Sequence, residues 1–181
     1  IGKNMIFSKL KIFWLVCALH LFLVRSYAQV PNPNIIEEKA VNYFCDYVLK
    51  DVTQLSQLKI WFSGATNGKP SNIYDVANCL GDINMFKDSI PNKAYLDSLE
   101  QKYSQTKSRV IKIAHINECF SKRSIFKKKD YGLYLYNAIE YKGNCCVEFF
   151  LANKEFNTYT IIVTLDTNLV PLNYCVKAIT Y

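Results

Sequence analysis

Residues 133–152 read LYLYNAIEYKGNCCVEFFLA, and their period of two decides the fold. Apolar side chains alternate on either side of Lys142-Gly143-Asn144, a turn too short for anything but an antiparallel return. Two more β-rich runs follow at 158–166 and 172–180, joined through residues 153–157 and through Thr167-Asn168 ahead of Pro171. Connections this short set each run beside the last. The sequence therefore predicts a four-stranded antiparallel meander made of 133–141, 145–152, 158–166 and 172–180.

Alternation assigns the two faces. One takes Leu133, Leu135, Ile139, Tyr141, Cys145, Val147, Phe149, Leu151, Tyr159, Ile161, Val163, Leu165, Leu172, Tyr174, Val176 and Ala178. This oily face is expected to lie against a helix. The other takes Tyr134, Tyr136, Glu140, Cys146, Glu148, Phe150, Thr158, Thr160, Ile162, Thr164, Asn173, Cys175, Lys177 and Ile179. An ordinary solvated face is more polar than that. Tyr134, Tyr136, Glu140, Glu148, Phe150 and Ile162 are accordingly the candidate binding residues, set against the plainer reading of a threonine-rich exposed sheet.

Working outward from the sheet, Asn34 with Glu37 and Glu38 marks a helix start, its acids placed where the helix dipole favours them. Val41, Phe44, Cys45, Val48, Val52 and Leu55 then recur at three- and four-residue steps, predicting an amphipathic helix over 35–53. A strand is expected over 58–65, ended by a turn at Asn67-Gly68 ahead of Pro70. Residues 72–84 suit a short helix better than a returning strand. Pro91-Asn92 opens a second helix carrying Leu96, Leu99 and Tyr103, residues 109–116 form a further strand, and 121–130 a polar loop.

The start of the chain has a different character. Lys9 and Lys11 precede the apolar run 12–24, and Ser26-Tyr27-Ala28 places small residues where a signal peptidase requires them. The run is shorter than the roughly 20 residues needed to span a bilayer. Residues 1–28 are thus expected to be a cleaved signal peptide, and 29–181 one exported α+β domain, secreted or periplasmic, with no transmembrane segment after cleavage. Four of the 22 basic residues and none of the 15 acidic ones go with the signal, which lowers the net charge from +7 to +3. The basic balance belongs largely to the discarded segment and gives no warrant for nucleic acid.

Six cysteines remain: Cys45, Cys79, Cys119, Cys145, Cys146 and Cys175. An even number in an exported chain favours disulfides, against the plainer reading of buried free thiols packing as small hydrophobes. Cys146 and Cys175 share a face but stand on strands one apart in a meander, about twice the 4.8 Å strand spacing. That is beyond the roughly 7 Å reach of a bridge. A bridge from Cys45 to Cys145 is permitted, since both face the expected core, whereas one between Cys145 and Cys146 would be strained.

Chemistry-bearing motifs are sparse. His115 is the only histidine after residue 28, and His115 with Cys119 supplies two ligands where zinc wants three or four. No metal and no cofactor is expected. Glu140 and Glu148 come close if the turn at Lys142-Gly143-Asn144 folds as a simple hairpin, and paired carboxylates can do glycosidic work. Such a pair on a hairpin is more often surface decoration. Lys122, Arg123, Lys127, Lys128 and Lys129 form a basic cluster that reads as a solvated loop before it reads as a binding site for an anionic partner.

The fold predicted is α+β, with N-terminal amphipathic helices packed on a curved C-terminal antiparallel sheet of the meander plus one or two further strands. Helix first and sheet last resembles the element order of cystatin-like and nuclear-transport-factor-like domains over 35–180. Element order alone implies no activity. The expected function is a non-catalytic binding domain whose second sheet face meets a protein partner, a second copy or a small ligand. Two alternatives stand beside it. One is a secreted hydrolase using Glu140 with Glu148 or a cysteine with His115. The other is an inhibitor presenting a loop at 67–72 to another secreted enzyme.

Overall fold

Ile36, Ala40, Phe44 and Val48 recur every four residues, and all are buried on one helix face. A computed structural model describes residues 33–82, 92–112, 119–121 and 130–179. In it α1 (Pro33–Tyr43) carries that face, runs on through a π-helical turn (Phe44–Val48) into α2 (Leu49–Asp51), and is followed by α3 (Thr53–Ser56). Val52 is extended, with ψ near 100°, so the expected single helix over 35–53 breaks one residue before its end.

After α3 come β1 (Ile60–Pro70), α4 (Ile73–Cys79) and α5 (Lys93–Tyr103), then β2 (Tyr131–Asn137), β3 (Ile139–Tyr141), β4 (Asn144–Ala152), β5 (Thr158–Leu165) and β6 (Pro171–Ile179). The class is α+β, a helix ahead of a six-stranded sheet in the order β1-β2-β4-β5-β6, with β3 also on β4. The sheet is mixed rather than antiparallel, because β1 pairs parallel with β2. Residues 71–130 intervene between those two strands, long enough for the crossover that a parallel pair needs.

β1 also runs further than predicted. Asn67-Gly68 is not a turn but part of the strand, with Thr66 opposite Leu135 and Pro70 opposite Asn137. Register shifts fall between Phe62 and Thr66 and between Thr66 and Pro70, and Gly64 and Gly68, both near φ +77°, lie within them. Glycine's left-handed freedom is spent on two irregularities instead of a reversal. No loop is therefore presented at 67–70. The outer edge of β1 is covered in turn: the Thr66 N–H donates to the Arg109 carbonyl, the Arg109 N–H donates to the Thr66 side-chain hydroxyl, the Ile111 N–H reaches the Gly64 carbonyl at 2.9 Å, and Val110 bridges Ala65. Of the strand expected over 109–116, residues 109–112 contribute this bridge, and 113–116 lie outside the described residues.

The run 133–141 breaks at Ala138. Leu135 stands opposite Phe149, yet Ile139 stands opposite Cys146, so one side has advanced four residues and the other three. One extra residue inverts every side chain beyond it. Ile139 and Tyr141, assigned to the oily face, instead pack on the second with Cys146 and Ile162, and Glu140 moves to the first. Glu37 of α1 secures the irregularity. Its carboxylate accepts the Ala138 N–H at 2.7 Å and pairs with Arg109 at 2.5 Å, while Arg109 also donates to the Asn137 side chain at 3.1 Å. The acid expected to serve the helix dipole is wholly buried against the sheet, and burial raises its proton affinity against the pull of Ala138 and Arg109.

The first face is closed by α1. Leu133, Leu135, Val147, Phe149, Leu151, Ile161, Val163 and Leu165 are none of them more than 3% exposed. Phe149 stacks on Phe44 at 4.8 Å. The second face is closed over part of its area by α4 and α5, whose Ile73, Val76, Leu96 and Leu99 meet Ile139, Tyr141, Cys146 and Ile162. Asn72 caps α4 by accepting the Tyr74 N–H at 3.0 Å.

One disulfide ties down each layer. Cys45 of the π-helical turn bonds Cys119, and Cys79 of α4 bonds Cys175 of β6, with Cα atoms 5.7 and 5.9 Å apart. The bridge permitted between Cys45 and Cys145 does not form; Cys145 and Cys146 are free thiols. Bridges of this kind suit an oxidising environment. No helix among the described residues is long and apolar enough to cross a membrane. The signal-peptide reading of 1–28, His115 and the basic cluster at 122–129 lie outside the described residues.

Candidate binding face

Beyond the edge of α4, no described helix covers the second face. Register sets Tyr134, Phe150, Thr160 and Lys177 in one row across β2, β4, β5 and β6. Tyr134 is 51% exposed, Phe150 is half-buried, and their rings stand 6.3 Å apart at 45°, a tilted pair on neighbouring strands. The next row outward holds Gly132, Ala152 and Thr158, with Ile179 of β6 opposite Thr158 and half-buried Trp61 of β1 opposite Gly132. Trp61 was not singled out from sequence. Its position on a strand beside the meander was the available signal, and it needed the parallel pairing to place it.

The row inward, towards the helices, holds Glu148 opposite Ile162, and Ile162 opposite Cys175. Glu148 is 4% exposed. One carboxylate oxygen accepts the Asn72 N–H at 2.7 Å, its own N–H donates to the Ser71 hydroxyl at 2.9 Å, and that hydroxyl donates to the Asn137 carbonyl at 3.2 Å. Burial pushes the Glu148 carboxyl up to about 7; the nearby Asp75 adds to this, while the Asn72 N–H and Lys177 pull it back. Lys177 lies 3.8 Å from Asp75. Tyr136 is also raised, first by burial and then by the Glu148 charge, against a hydrogen bond with the Asn67 side chain. A carboxyl that changes charge near neutrality thus sits at the seam between the covered and open halves of one face.

Of the six candidate binding residues, the structure brings Tyr134, Tyr136, Glu148 and Phe150 to this region. Ile162 shares the face but is sealed beneath the helices at 2% exposure. Glu140 is exposed opposite Cys145, on the other side of the sheet from Glu148, so the two carboxyls are not a pair. The inverted register at Ala138 is the cause. The free thiols are also poor nucleophiles. Burial raises Cys145 and pushes Cys146 up to about 12, leaving both protonated at neutral pH. Among the described residues no group of three or more His, Cys, Asp or Glu could hold a metal ion.

Behind the Ser71-Asn72 segment lies a cavity of about 250 Å3, lined by Ile73, Leu99, Tyr103 and Ile139 among others. It is small beside ordinary ligand pockets. Among the described residues the arrangement offers a ring-bearing surface with one titratable acid beneath its rim. No protein-family model, curated protein or solved structure matches this chain.

Proposed function

We propose that this chain is an exported, non-catalytic binding domain, and that the open half of its second sheet face meets a protein partner. The observation that carries the reading is Tyr134, half exposed beside Phe150 on strands whose other side is fully committed to the core. Tyrosine and tryptophan supply large contact area at low entropic cost and are enriched where proteins meet. Flanking Thr158 and Thr160 with Lys177 offer the polar rim such a contact needs. The two disulfides support export. The cystatin-like or nuclear-transport-factor-like element order is compatible with a helix-backed sheet that presents its free face, and implies no more.

The hydrolase reading loses support from the separation of Glu140 and Glu148, and the inhibitory-loop reading from the pairing of 67–70 into β1. The test is to combine Tyr134→Ala with Phe150→Ala and to measure self-association by sedimentation and partner capture by affinity purification. Loss of either with retained folding is expected. No change in both would refute the reading.

A further inference from the structure

Where the helix ahead of the sheet meets β6, a depression of about 450 Å3 is walled by Tyr43, Asp46, Tyr47, Lys50, Asp51 and Tyr174. Three phenol rings line it. Tyr43 and Tyr47 stack at 5.1 Å, and Tyr174 closes the corner 6.4 Å from Tyr43, tilted by 57°. Two aspartates against one lysine leave the lining negative. Tyr174 donates its hydroxyl hydrogen to the Asp51 carboxylate, which fixes that ring and raises its own proton affinity.

The backbone beneath is held firmly. Phe44 and Val48, the ends of the π-helical turn, are fully buried, and Cys45 within it is bonded to Cys119. π-helical turns are rare and frequent at functional sites. Tyr47 is 61% exposed, so core packing does not account for its position. A hard divalent cation would want six or more oxygen ligands, which two carboxylates among phenol rings do not supply. A large, weakly hydrated organic cation wants ring faces with negative charge nearby.

We propose that this corner binds a small organic cation with a quaternary ammonium head, its methyl groups against Tyr43, Tyr47 and Tyr174 and its charge towards Asp46 and Asp51. The site is separate from the open sheet face, and its test is independent of the partner reading. Such a head is carried both by free choline-type compounds and by phosphocholine lipids.

The full chain is titrated calorimetrically with choline and with 3,3-dimethylbutan-1-ol, its uncharged isostere. Choline is expected to bind at least about tenfold more tightly, because only it gains from ring faces and carboxylates. Tyr47→Ala and Asp46→Asn, both at exposed positions and checked for folding by circular dichroism, are each expected to weaken choline about fivefold. Tyr174→Phe keeps the ring and should retain binding. Co-sedimentation with phosphatidylcholine vesicles that is lost in Tyr47→Ala identifies the lipid headgroup as the source. Binding of free choline without co-sedimentation identifies a soluble one. Equal affinity for choline and its isostere, absence of saturable choline binding, or unchanged affinity in both weakening variants would overturn the proposal.

Discussion

The two faces of the sheet are made by the same strands and put to different use. On the first, α1 covers a continuous aliphatic and aromatic layer, and the one acid that enters it, Glu37, is matched by Arg109 and by the Ala138 N–H. On the second, α4 and α5 cover only the end that holds Ile139, Tyr141, Cys146 and Ile162. The remainder keeps Tyr134 and Phe150 in reach of solvent, with Glu148 beneath the rim. The face that stabilises the fold is packed with apolar side chains, and its buried acid is paired through one carboxylate oxygen. A face left with half-buried rings and a buried carboxyl raised towards neutrality contributes less to folding.

The comparison can be broken at four points. Glu37→Ala should be the most damaging, costing about 3–5 kcal/mol in urea denaturation, because it leaves Arg109 and the Ala138 N–H without their partner. Removing Cys79 and Cys175 together should cost about 2–4 kcal/mol and should raise hydrogen exchange in α4 rather than in α1. If exchange rises equally in both helices, the two layers are not independently secured.

Glu148 gives a pH signature. Its folded value, near 7, exceeds its ordinary value of 4.5, so the folded state holds the proton more tightly than the unfolded chain does. The stability it contributes is complete below pH about 4.5 and is lost as pH rises through about 7. Asp75, Tyr136 and Lys177 share its surroundings, and Lys177 limits the effect. Glu148→Gln, whose amide oxygen can still accept the Asn72 N–H, should flatten that slope and stabilise the protein at pH 8 by at most about 3 kcal/mol. An unchanged slope would show that the seam is wetter than its burial indicates. The smallest effect is expected from Tyr134→Ala, within about 0.5 kcal/mol of the parent, because a ring half exposed to solvent gives little to the isolated fold.

These expectations also show which parts of the molecule can be read from residues alone. The first-face side chains of β4 and β5 followed from alternation, since period two leaves no choice once one face must be dry. The same rule failed one residue past Asn137. Nothing in Asn137-Ala138-Ile139 marks an insertion, and the irregularity is held by Glu37, about a hundred positions away in sequence. That single shift took Glu140 away from Glu148 and removed the carboxylate pair. Asn67-Gly68 misled for a related reason: a glycine that permits positive φ suits a turn or an irregular strand equally, and the choice depends on β2. Cysteine partners were set by where α4 and Cys119 itself lie, which strand geometry could constrain but not assign. Tyr134, Phe150 and Glu148 were legible as a face, and the two helices that divide it were legible as helices, whereas their docking on that face was not.

The sharpest test uses two adjacent residues. Phe149 is fully buried against Phe44, and Phe150, one position on, points to the opposite face. Urea denaturation of Phe149→Ala and Phe150→Ala, compared side by side, should give a loss of about 3–5 kcal/mol for the first and about 1 kcal/mol or less for the second. Equal losses would mean that both faces are core and that no sheet surface is held in reserve for a partner.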